Sequence, residues 1–135
     1  MNIAKKEVKY DLEDRLIDYS VLIFKIVDSM FNTRAGNHIA SQLVRSGSNP
    51  ALHYGEAQSA ESRRDFIHKI KILLKELRES KAALKLINKT PLTNSLEKVE
   101  NGLSETNQLI SIFMASVKTA KKNMESEEKE KNNKE

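Results

Sequence analysis

The chemistry most legible in this sequence belongs to cations at helical spacing. Positions 63–89 carry Arg63, Arg64, Lys69, Lys71, Lys75, Arg78, Lys81, Lys85 and Lys89 against only Asp65, Glu76 and Glu79. At about 100° per residue, Arg64, Lys71, Lys75, Arg78 and Lys89 fall in a helix sector about 60° wide. Lys85 sits at its edge, and the three acids lie outside it. A row of cations on a rigid rod can align with backbone phosphates, giving affinity for RNA or DNA without reading sequence. The same row also suits a solvated face, or one that pairs with an acidic neighbouring subunit.

Groups suited to making and breaking bonds are scarce. Metal sites in helical bundles need carboxylates and Glu-x-x-His pairs converging from several helices, and only His53-x-x-Glu56 and Asp65-x-x-His68 approach that pattern. Ser95-x-x-Lys98 has the spacing of a serine nucleophile and its lysine, without the companion motifs. Gly47 and Gly55 lack the spacing and partners of a phosphate loop. We therefore expect no enzyme, no cofactor and no metal. Base stacking is not expected either, because there is no Trp and Phe66 belongs to an apolar stripe. Tyr54 reads as a buried tyrosine bonded through its hydroxyl.

These side chains need helices to position them. Val8, Leu12, Leu16, Tyr19, Ile23, Ile26 and Met30 predict a first helix over about residues 8–31. Its far side carries Ile17, Val21 and Phe24, a second apolar face free to close an oligomer. Residues 34–59 form a poor helix by propensity, since Gly36, Gly47 and Gly55 each cost about 1 kcal/mol and Pro50 about 3. A kink or interruption is expected near residues 46–50, where Ser46, Gly47, Ser48 and Ala51 let another backbone approach. Phe66, Ile70, Leu73, Leu77, Leu84 and Ile87 predict a third helix over about 60–88. Thr90 and Pro91 are suited to open the fourth, which carries Leu96, Val99, Leu103, Ile110, Phe113 and Val117 and ends near Met124. Short connections favour antiparallel neighbours, so the expected fold is an all-α, up-down-up-down four-helix bundle over residues 1–124. Residues 125–135 hold no apolar side chain and are expected to be a disordered charged tail.

The 135 residues suit one domain. The absence of cysteine, of a secretory-type start and of any bilayer-length apolar run points to a cytoplasmic protein without a membrane role. The net charge of +4 is unevenly spread, residues 4–30 holding five cations against six acids.

One stretch carries a resemblance. Residues 45–69 read R-S-G-S, then A-x-x-Y-x-E-A, then A-x-S-x-x-D-F-x-x-K, and residues 115–122 read A-S-V-K-T-A-K-K. Both are similar to the bacterial four-helix-bundle family also described as 23S ribosomal RNA intervening-sequence proteins, and the likeness extends over about residues 10–122. It implies a bundle subunit of a ring-like homo-oligomer, typically a pentamer. A related branch serves diversity-generating retroelements, which implies a reverse transcriptase as a protein partner. Arg45, Tyr54, Glu56, Asp65, Phe66 and Lys69 are the signature positions. Their charged members are expected to form a network fixing helix two against helix three. Gly55 stands where relatives commonly carry a basic residue.

Overall fold

Polar side chains start three of the four helices by accepting from backbone N–H groups that no helical carbonyl can reach. Asp11 Oδ1 accepts from the Glu13 N–H at 2.9 Å and opens α1 (Leu12–Asp28). Thr33 Oγ1 accepts from the Gly36 N–H at 3.0 Å and opens α2 (Arg34–Gln58). Ser62 Oγ accepts from the Asp65 N–H at 3.0 Å and opens α3 (Arg63–Lys89). The fourth helix, α4 (Leu96–Lys134), follows Ser95 rather than Pro91. Thr90 instead closes α3, its N–H donating to the Leu86 carbonyl. The computed structural model describes residues 11–134, so Val8 and the expected first turn of helix one lie outside the described residues.

Each helix packs on the next, and α4 returns to α1, completing an antiparallel four-helix bundle. The α1–α2 and α3–α4 connections are tied together: the Phe31 N–H donates to the Leu92 carbonyl at 2.8 Å, and Thr93 Oγ1 bonds Ser29. This makes an isolated antiparallel bridge, Met30 with Thr93. No strand occurs among the described residues.

The core is built from stripes. Leu16, Tyr19, Ile23 and Ile26 of α1 meet Leu43 of α2 and Ile70, Leu73, Leu77, Leu84 and Ile87 of α3, all essentially buried. From α4 come Val99, Leu109, Phe113, Val117 and Ala120. Each such aliphatic or aromatic side chain contributes about 1.5–3 kcal/mol by leaving water. The α4 seam runs through Gly102 and Thr106, so Leu96, Leu103 and Ile110 are only half-buried. Tyr19 and Thr106 hydroxyls bond at 2.8 Å, and Thr106 also donates to the Gly102 carbonyl.

Two expectations are corrected, an interruption of helix two at Pro50 and a disordered tail. α2 is one uninterrupted helix through Pro50, because α1 and α3 hold the turn that precedes it. On one side Gly47 lies so close to α1 that Ser20 Oγ donates to its carbonyl at 3.1 Å. On the other, Ser80 Oγ of α3 donates to Ser46 Oγ at 2.9 Å. The tail, expected to be disordered, continues α4 as helix to Lys134. Glu125, Glu127 and Glu130 stand four residues before Lys129, Lys131 and Lys134, the favourable orientation for helical ion pairs. Arg63 also donates to Glu127. Met124 is the last residue packed on the core, and residues 125–134 are exposed.

Candidate functional site

The charges of α3 are sorted by flank. Its acids face α2 or its own first turn. Glu76 is buried, and Arg45 of α2 reaches it at 3.2 Å while donating to Glu79 at 2.9 Å and to Gln42 at 3.0 Å. Asn49 donates to the second Glu76 oxygen. Glu79, then Glu76, hold the Arg45 guanidinium above its usual pKa. Asp65 accepts from the Glu61 N–H and lies 3.8 Å from Lys69.

The opposite flank carries the cations. Arg64, Lys71, Lys75, Arg78, Lys85 and Lys89 are all exposed, and among the described residues no carboxylate stands within ion-pairing distance of any of them. Arg63 differs, since Glu127 neutralises it. The row borders a shallow groove between α3 and α4. One stretch is lined by Lys71, Leu74, Arg78, Met114 and Val117. The next shares Arg78 and Met114 and adds Lys81, Ala82, Lys85 and Ile110. Its floor is aliphatic, with Met114 52% exposed. On α4, one turn beyond Val117 of this groove, the charge of Lys121 lowers the Lys71 pKa, with slight desolvation adding to it. Lys121 adds to the positive charge on this side of the bundle, which the α3 row alone does not reveal. The signal lay in Met114, Lys118 and Lys121, which recur at spacings of four and three and so share one side of α4.

The signature positions do not form the expected network. Arg45 does fix α2 to α3, but through Glu76 and Glu79 and not through Asp65 or Glu56. Glu56 is exposed, 3.7 Å from His53 on its own helix, and Lys69 pairs within α3. Phe66 is half-buried against the core. The Tyr54 ring meets Phe113 edge-on at 5.7 Å. Burial raises its phenol pKa, Asp11 adds to that, and a Gln58 hydrogen bond lowers it.

On α1, Ile17, Val21 and Phe24 are 46%, 43% and 40% exposed. The contact of Ser20 with Gly47 sets an antiparallel register that places Phe24 level with Val44 and Ile17 level with Leu52, themselves exposed.

No family model matches this chain, and no curated protein matches it in sequence. Among solved structures it is similar to a protein of unknown function from the S23 ribosomal protein family of Bacteroides thetaiotaomicron VPI-5482. The two superpose with a TM-score of 0.73 at 26% identity, covering 80% of this chain and 99% of that one. The chain is thus related to a small helical protein without an assigned activity. No helix among the described residues is long and apolar enough to cross a membrane.

Proposed function

We propose that this chain is a non-enzymatic binding protein that holds RNA or DNA by its phosphates on the α3 face, as an adaptor for a partner enzyme. One observation carries the reading. Six exposed cations run along one flank of α3 without a carboxylate partner among the described residues, while Arg45 and Asn49 draw Glu76, and Arg45 alone Glu79, toward the other flank. Phosphate contacts of this kind give salt-dependent, sequence-tolerant affinity. The kinship with intervening-sequence proteins, a cytoplasmic setting and a reverse transcriptase as the partner enzyme belong to the same proposal. The test is fluorescence anisotropy at low salt with labelled RNA and duplex DNA. Binding that disappears in Lys71→Glu/Lys75→Glu/Arg78→Glu supports the proposal. Undetectable binding to the unaltered chain, or an unaffected triple variant, overturns it.

A second reading has its own observation. Ile17, Val21 and Phe24 leave an apolar strip on α1, bordered by Glu13, Asp14, Asp18 and Asp28. Such a strip suits a protein interface, and its occupant is taken to be another copy in a ring, a pentamer by resemblance. On this reading the chain is a structural or protein-interaction module, and V21D/F24D is the decisive variant.

A further inference from the structure

A row of cations on α3 lines a groove whose other wall is Ile110, Met114 and Val117 of α4. On α3 the lining residues Lys71, Arg78, Lys81 and Lys85 extend over about 21 Å at 1.5 Å per residue. Lys121 comes one helical turn after Val117 and Lys118 one turn after Met114, so both share the side of α4 that walls the groove, and the Lys121 charge lowers the Lys71 pKa. Like charges on facing helices repel, and an anion lying across them relieves that repulsion. The apolar lining of the groove is Leu74, Val117, Ala82, Ile110 and Met114. No aromatic ring, amide or hydroxyl lines it, so a base entering the groove finds nothing to stack on and no amide to read its edge. A duplex has already stacked and paired its bases. It also offers one charge per about 1.7 Å of axis, twice the density of a single strand, on a rod as stiff as the helices.

We infer that Lys121 of α4 joins Lys71 and Arg78 of α3 in a two-helix phosphate seat for double-stranded nucleic acid, gripped by its backbone with the bases unread. The inference rests on the phosphate-binding reading above and adds to it a residue and a ligand class. Lys121 is exposed on a continuous helix, so its substitution leaves the core untouched.

The experiment uses the full chain and three labelled 20-mers: a DNA duplex, an RNA duplex and an unstructured single strand, each titrated over a range of salt. Lys121→Gln is compared with the unaltered chain and with Lys25→Gln, a charge removed from α1. The expected result is duplex binding tighter than single-strand binding, and a several-fold loss for Lys121→Gln with a salt slope shallower by about one. Lys25→Gln is expected to leave both unchanged. Equal affinity of duplex and single strand, or a Lys121→Gln variant with unaltered affinity and slope, overturns the two-helix seat while the α3 reading stands. No binding of any 20-mer at low salt overturns both. The two duplexes separate RNA from DNA as the source of the phosphates.

Discussion

Gly47 is where α1 and α2 approach each other most consequentially, and an alanine there tests the packing directly. A Cβ at Gly47 would stand 2.5 Å from Ile23 Cγ2, 2.8 Å from Cγ1 and 2.9 Å from Cβ. All three are shorter than real contacts, and Ile23 is fully buried on a helix, where a β-branched side chain has essentially one rotamer. The strain therefore falls on the helix spacing, which also stretches the bond from Ser20 to the Gly47 carbonyl. Against this, alanine in a helix interior gains about 1 kcal/mol over glycine. Overpacking typically costs about 1–3 kcal/mol and the weakened hydrogen bond about 1 kcal/mol, so Gly47→Ala should destabilise by about 1–3 kcal/mol. Gly55 is the internal control. It lies on the same helix with nothing within 4 Å of its would-be Cβ, so Gly55→Ala should stabilise by about 0.5–1 kcal/mol. Urea unfolding followed by circular dichroism reads both midpoints. The Ile23→Ala/Gly47→Ala pair, less destabilised than the sum of its singles, would tie the cost to that contact. Gly47→Ala as stabilising as Gly55→Ala would refute the close approach.

Further outcomes follow from the same geometry. Arg45→Met leaves buried Glu76 with Asn49 alone and should lower the urea midpoint. Adding Glu76→Leu should restore it, since an apolar pair carries no desolvation penalty; an additive double variant would count against the network. The Tyr19 phenol is held above its usual pKa, chiefly by burial and against its hydrogen bonding with Thr106 and Ser80. A raised folded pKa means stability that is full below the unfolded tyrosine value of about 10 and lost as pH climbs through the folded value. Tyr19→Phe should therefore flatten the alkaline fall in stability measured by urea unfolding. Lys71 has the opposite sense: with its pKa lowered by Lys121, it sheds charge at lower pH than an ordinary lysine. Duplex affinity at fixed ionic strength should then weaken earlier on raising pH in the unaltered chain than in Lys121→Gln. Val21→Asp/Phe24→Asp should yield monomers by light scattering, and an unchanged mass would remove the α1 strip as an interface.

The helical periodicities of α1 and α3 were legible because their apolar residues are large and repeat without interruption: Leu16, Tyr19, Ile23 and Ile26, and Ile70, Leu73, Leu77, Leu84 and Ile87 lie where their spacing placed them. The cation row was legible for the same reason, as was the surplus face of Ile17, Val21 and Phe24. Less visible was the α4 seam, whose centre is Gly102 and Thr106. A hydrophobic pattern passes over a glycine chosen for closeness and a threonine chosen to bond Tyr19.

Sequence by itself determined the elements, because amphipathic spacing and side-chain caps act within a few residues of chain. It also determined which face of α3 is positive. Tertiary structure decided everything that depends on a neighbour. Pro50 stays inside a continuous helix because α1 and α3 grip the turn before it, at Gly47 and Ser46. Arg45 finds Glu76 and Glu79 rather than Asp65 because antiparallel packing sets them level with it. Lys121, fifty residues from Lys71 along the chain, comes beside it only when α4 folds back along α3.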